Sequence, residues 1–193
     1  SRNFETTSRD PARFRLTVPA VQFFYRFVDP WESALATQGA RAVWEQHVQP
    51  HLDMHMGHVF ERVAEEAFNR RQSALGLPLV RNWGRWEGKD HRRTPLEIDI
   101  VARLTEGRVL TGAVKWNRTP VGMAVHTHHL DALRRLSESG VKWAHDAQQQ
   151  NSPLLYVAAG GFTPEFRQAA MASRETVYLW SLDDLYQDVS QPR

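Results

Sequence analysis

The sequence predicts an α/β domain with a mixed central sheet flanked by helices and preceded by a helical extension. Three observations predict it. Strand-like runs follow one another between residues 79 and 116, helix and strand then alternate toward the C-terminus, and apolar positions before residue 71 recur at helical spacing. The composition agrees: 193 residues, 41% hydrophobic and 24% charged, are ordinary values for a globular protein large enough to bury a core without cross-links. Disorder, a fibre and a coiled coil are excluded as the main architecture. No apolar run reaches the roughly 18 residues that a membrane-crossing helix needs. The opening Ser1-Arg2-Asn3-Phe4-Glu5 is not an apolar signal segment. Cysteine is absent, which removes disulfides, thiolate metal sites and cysteine nucleophiles together. The expectation is a cytoplasmic chain with no membrane partner.

The elements follow in order. Residues up to about Arg13 are polar, include Pro11, and read as a linker or frayed start. The aromatic stretch Val21-Gln22-Phe23-Phe24-Tyr25-Arg26-Phe27-Val28 reads as a short buried helix, stopped by Asp29-Pro30 because the residue before proline avoids the helical region. With the linker it forms an extension over residues 1–38; residues 39–193 form the domain. From Gly39 to Arg71 the apolar positions Val43, Val48, Leu52, Met56, Val59, Phe60, Val63, Ala64 and Phe68 predict helices, with a break at Pro50 and an end near Gly76. Leu79 to Trp86, Pro95 to Leu104 and Arg108 to Trp116 are strand-like, separated by turns at Gly88-Lys89-Asp90 and Glu106-Gly107. Val125 to Ser139 is a helix capped by Gly140, and Pro153 to Ala159 is a buried strand ended by Gly160-Gly161. Thr163-Pro164-Glu165 opens a helix with an N-cap threonine, Thr176 to Trp180 is the last strand, and Ser181 begins a terminal helix.

The net charge of +2 does not announce nucleic-acid binding, but its distribution is uneven. Arg70, Arg71, Arg81, Arg85, Lys89, Arg92 and Arg93 are opposed only by Glu87 and Asp90. Such a cluster attracts phosphates, and equally reads as a solvated loop. Arg81, Arg85, Arg92 and Arg93 are the candidate nucleic-acid contacts.

The second strand places acids where acids are rare. In Leu96-Glu97-Ile98-Asp99-Ile100-Val101-Ala102, strict alternation puts Glu97 and Asp99 on one face and Ile98 with Ile100 on the other. In Thr111-Gly112-Ala113-Val114-Lys115-Trp116, Ala113 and Lys115 share a face. A hairpin at Glu106-Gly107 brings Asp99 level with Lys115. A carboxylate beside a lysine in an apolar sheet suits divalent-metal phosphodiester chemistry, in which one or two carboxylates hold Mg²⁺ and a lysine orients water. It also reads as a solvated strand edge with a snorkelling lysine.

This arrangement resembles the PD-(D/E)xK nuclease superfamily. Asp99 matches its lone aspartate, Ala113-Val114-Lys115 occupies the place of the (D/E)-x-K tripeptide, and Glu61 in Gly57-His58-Val59-Phe60-Glu61 matches the acid of the first core helix. Together with Phe23-Phe24-Tyr25-Arg26-Phe27-Val28-Asp29-Pro30, Gly84-Arg85-Trp86, Glu97-Ile98-Asp99-Ile100-Val101-Ala102 and Gly112-Ala113-Val114-Lys115-Trp116, these strings resemble, in order over about residues 15 to 135, the C-terminal nuclease-like domain of archaeal-type AAA+ ATPases. The resemblance implies a restriction-endonuclease-like core, upstream ATPase and winged-helix domains in the same protein, and ATP bound only there; no P-loop occurs in this chain. It implies Asp99 and Glu61 as metal ligands for Mg²⁺ or Mn²⁺, and Asp99, Lys115, Glu61 and Glu97 as the catalytic set.

The chain departs from the pattern at Ala113, where the superfamily carries an acid. A methyl group binds no metal, so the position is either altered or naturally degenerate, with Glu97 as the substitute ligand. Weak or absent cleavage is expected. The alternatives are a non-catalytic module that binds nucleic acid, DNA favoured, and an interaction domain regulating an ATPase; either leaves room for an oligomer. A rival site, the histidines His51, His55 and His58 on one helical stripe with His126, His128 and His129 further on, suits a transition metal but completes no motif. No Gly-x-Ser-x-Gly elbow is present.

Overall fold

A computed structural model describes Phe4 and residues 18–149 and 151–187; the polar linker expected up to Arg13 lies, Phe4 apart, outside the described residues. The first helix, α1 (Pro19–Phe27), starts on a proline, whose missing N–H costs nothing in a first turn. Its last bond runs from the Val28 N–H to the Phe24 carbonyl, 2.8 Å. The helix stops before Asp29-Pro30, as expected. A tight 3₁₀ turn, Asp29–Trp31, takes the proline at its start and leads into α2 (Glu32–Gln38), which the sequence reading missed. Gly39, at φ +84°, separates α2 from α3 (Ala40–Val43). A π turn over Trp44–Val48 then enters α4 (Gln49–Arg71), with Pro50 in its first turn.

α1 is not the buried helix its aromatic content suggests. Phe27 is buried, whereas Val21, Phe24 and Tyr25 are exposed. The helix rests on α4 through Phe23 and Phe27, whose rings meet the buried His55 edge-on at 5.9 and 5.4 Å. It joins none of the apolar clusters around the sheet, so only one stripe of it is covered.

Five strands form one sheet in the order β1 (Val80–Lys89), β2 (Pro95–Leu104), β3 (Val109–Lys115), β4 (Leu154–Ala158), β5 (Val177–Ser181). β1, β2 and β3 pair antiparallel; β3, β4 and β5 pair parallel. The parallel strands are linked through α5 (Met123–Glu138) with α6 (Lys142–Ala147), and through α7 (Pro164–Ala172). Right-handed crossovers in one direction put these helices on one face. α4 and α8 (Leu182–Tyr186) cover the other: Phe60, Ala64 and Phe68 of α4 and Leu185 of α8 pack with Ile100, Leu110, Val114, Leu155 and Trp180. Across the sheet, Leu133 and Leu136 of α5 pack with Leu96, Ile98 and Val101, and Phe166 of α7 packs with Ala113 and Tyr156. β4 is buried throughout because both its faces are covered. This order of helix, three strands, helix, strand, helix and strand is the mixed α/β arrangement that the sequence predicts.

Two turns fix the register. Gly107, at φ +98°, closes the β2–β3 hairpin. β1 runs past Gly88 to Lys89, so the β1–β2 turn falls later than expected and is built on Asp90. The Asp90 carboxylate accepts from the N–H groups of Arg92 at 2.9 Å and Thr94 at 2.8 Å, while Arg135 of α5 clamps its other oxygen. One close approach demands glycine: a Cβ on Gly112 would collide with the Leu155 carbonyl of the neighbouring strand.

Candidate functional site

The sheet does not alternate evenly where the site lies. Beyond an irregularity at Arg81, Gly84 pairs with Val101 and Trp86 with Ile98, so Arg85 faces two residues of β2, Asp99 and Ile100. This is a bulge, the device that re-aims side chains beside sites. Leu96 and Ile98 pack toward α5, yet so does Val101, while Ile100 turns to α4. Ile98 and Ile100 therefore do not share a face. Glu97 and Asp99 do not share a face either: Glu97 falls on the α4 side, and Asp99 comes to the α5 side with Lys115.

Asp99 is tightly engaged. Its Oδ2 accepts from the Val114 N–H at 2.9 Å and from Lys115 Nζ at 3.0 Å. The β2–β3 ladder ends at Ile100 and Gly112, so the carboxylate takes the place of the next main-chain acceptor. The Asp99 side chain is 13% exposed and the Lys115 side chain 45%, so the ion pair opens to solvent on its lysine side only. Ala113, the next residue beyond Gly112, is buried among Val121, Leu154, Tyr156 and Phe162 and offers no donor atom.

On the other face Arg85 gathers the remaining acids. It pairs with Glu97, lies 3.5 Å from Glu87, and reaches Glu61 of α4 at 3.6 Å; His58 stands 3.5 Å from the same Glu61. The sequence expectation that Glu61 and Glu97 join Asp99 around a metal therefore does not match this arrangement. Both acids face a guanidinium across the sheet from Asp99, because the bulge separates them and Arg85 compensates their charge. Among the described residues, no three His, Asp or Glu side chains cluster as a metal site.

Two histidines of α5 escaped the sequence reading as partners, and one of them, His129, feels the Asp99 charge. His129 of α5 is buried and shares a hydrogen bond of 2.9 Å with the Thr111 hydroxyl. Burial pushes its pKa down to about 3, with His126, Lys115 and His128 acting in the same sense and Asp99 opposing, so this imidazole is neutral. His126 pairs with the buried Tyr156 hydroxyl at 2.9 Å, and burial lowers it too. Thr111 shares the face of Ala113 and Lys115, which was the available signal; the spacing of His126 and His129 on one helix face was the other. The histidine stripe of α4 does not assemble: His55 is sandwiched by aromatic rings and His51 is exposed.

The basic segment does not form one patch. Arg81 lies exposed at the start of β1 and Arg92 and Arg93 lie exposed in the turn beyond its end, about 25 Å of strand away. Arg85 between them is occupied by carboxylates.

Among solved structures, the chain is similar to a repair endonuclease from Pyrococcus abyssi at 10% identity and a TM-score of 0.37, covering 61% of this chain. The chain spans 45% of the length of that structure. No curated protein matches. The family DUF234, described as "Archaea bacterial proteins of unknown function", matches residues 24–128. That match covers more than half of the sequence, and the chain belongs to this family.

Proposed function

We propose that the chain is a nuclease-fold module whose cleavage centre is degenerate, kept as a nucleic-acid-binding module, DNA favoured, at the C-terminal end of an ATPase. The ATPase and winged-helix partners follow from the sequence resemblance, and ATP belongs to them. The observation that carries the reading is the poor oxygen donor set around Asp99. One of its oxygens is held by a main-chain N–H and by Lys115. The tripeptide position that would add a carboxylate is Ala113, and Glu61 and Glu97 serve Arg85 instead. Mg²⁺ demands near-octahedral oxygen coordination and sheds water reluctantly, so this donor set does not fit it. Lys115 neutralises a fixed carboxylate rather than orienting water. Exposed Lys115, Arg118, Arg81, Arg92 and Arg93 supply cations for phosphate contact.

The test is a paired assay on single- and double-stranded DNA and RNA. Neither Mg²⁺ nor Mn²⁺ is expected to support cleavage, while binding weakens with salt at about one counterion per neutralised phosphate. Replacing Arg81, Arg92 and Arg93 by Ala lowers the salt slope. Robust metal-dependent cleavage that Asp99→Ala abolishes overturns the degenerate centre; no binding at low salt overturns the nucleic-acid role.

A further inference from the structure

The outer edge of the sheet carries a socket that the cleavage-centre argument does not use. β1 is an edge strand, and an open edge invites pairing with another segment. On this edge the Arg85 carbonyl accepts a hydrogen bond of 3.0 Å from the main-chain N–H of Phe4, a residue far away in sequence. The Phe4 ring is 4% exposed. It meets Trp143 edge-on at 6.0 Å, joins the cluster that includes Trp86, and lies over Gly84, where a Cβ would come within 3.6 Å of the ring. A Cβ there would be in ordinary contact with the ring, and a branched side chain would press into it. The indole N–H of Trp143 is buried there without an acceptor, so Phe4 fills the socket without satisfying its polar group.

We infer that this edge is a peptide-docking site for a segment that presents an aromatic side chain beside a free main-chain N–H. Phe4 occupies it in cis, and the Phe4 segment of a second copy of this chain enters when Phe4 leaves. The mode is edge addition: a main-chain bond aligns the segment and a side-chain pocket selects it. Exchange is feasible because, among the described residues, one ring and one main-chain bond hold the cis occupant. Its advantage over a partner in trans is its tethering, which sets a millimolar-scale effective concentration.

The probe is a labelled peptide with the sequence of residues 1–8, Ser-Arg-Asn-Phe-Glu-Thr-Thr-Ser, followed by fluorescence anisotropy against the full chain. The Phe4→Ala chain is expected to bind it at least about tenfold more tightly than the wild-type chain, whose own Phe4 competes. The same peptide with Ala for Phe binds neither. Gly84→Val, which fills the socket from below, abolishes binding in either background. Equal affinity for the wild-type and Phe4→Ala chains overturns the inference, as does survival of binding in Gly84→Val. If circular dichroism shows Phe4→Ala to be unfolded, the wild-type chain decides: weak, saturable binding lost in Gly84→Val supports the docking site, and no saturable binding overturns it.

Discussion

Asp99 is held by two donors of different worth, and that difference can be measured. The Val114 N–H has no other acceptor once the ladder ends, so Asp99→Ala strands a main-chain donor inside the sheet. The expected cost is about 1–3 kcal/mol in urea unfolding. Lys115 is 45% exposed, so Lys115→Ala removes only a solvent-screened pair, worth about 1 kcal/mol or less. A larger loss for Lys115→Ala than for Asp99→Ala contradicts this ranking. His129 adds a pH dependence. Its folded pKa, about 3, lies below the ordinary value of 6.5, so in between the unfolded chain binds the proton and the folded chain does not. Its contribution is full above about 6.5 and is lost as pH falls toward 3. Asp90 is also held below its usual range: burial alone would raise it, but the hydrogen bonds from Arg135, Thr94 and Arg92 outweigh burial. Its loss comes later in the acid, so the first decline between pH 6.5 and 4 belongs to His129, His126 and His55, all held low by burial. Denaturant midpoints across that range are expected to fall less steeply in His129→Gln. Thr111→Val, which leaves the buried ring nitrogen without its partner, is expected to cost about 1–3 kcal/mol at neutral pH.

Among the elements, the strands were legible and their faces were not. The β2 boundaries, Pro95–Leu104, match the sequence reading, because proline and the hairpin glycine bracket a run in which Leu96, Ile98, Ile100 and Val101 outweigh the strand-averse acids. The error lay in assuming even alternation through it. Leu96-Glu97-Ile98-Asp99 alternates, then Ile100-Val101-Ala102 is apolar throughout; that change of pattern marks the bulge, but a strand covered on both faces looks the same in sequence. Asp99 and Lys115 were thus paired correctly while Glu97 was placed on the wrong face. The short α2 and α6 were missed because each spans too few turns to show a helical period. Gly112 belongs to this scale as well. Its substitution by alanine drives a Cβ into the Leu155 carbonyl and forces β3 and β4 apart. The expected destabilisation is about 3 kcal/mol, with loss of amide protection in both strands by hydrogen exchange. A neutral Gly112→Ala contradicts the register of the parallel pair.

The whole molecule is a sheet between two helical layers, with α1 to α3 lying outside the α4 layer. No helix among the described residues is long and apolar enough to cross a membrane. Linear charge counting suggested one basic patch, whereas folding sends Arg81 to one end of β1 and Arg92 with Arg93 to the other, and turns Arg85 inward to three acids. Sequence could not show this because the compensating Glu61, Glu97 and Arg135 come from other elements. The same long-range pairing underlies the proposal that the sheet holds no working metal site, in which position 113 offers no side-chain oxygen and Lys115 engages one oxygen of Asp99. The most direct measurement is thermal unfolding of the wild-type and Ala113→Glu chains over a Mn²⁺ titration. A ligand that binds only the folded state raises the midpoint with its concentration. The wild-type midpoint is expected not to move, while Ala113→Glu, destabilised by a carboxylate in an apolar pocket, is expected to recover as Mn²⁺ is added. A wild-type midpoint that climbs with Mn²⁺ and ceases to do so in Asp99→Ala would contradict the claim.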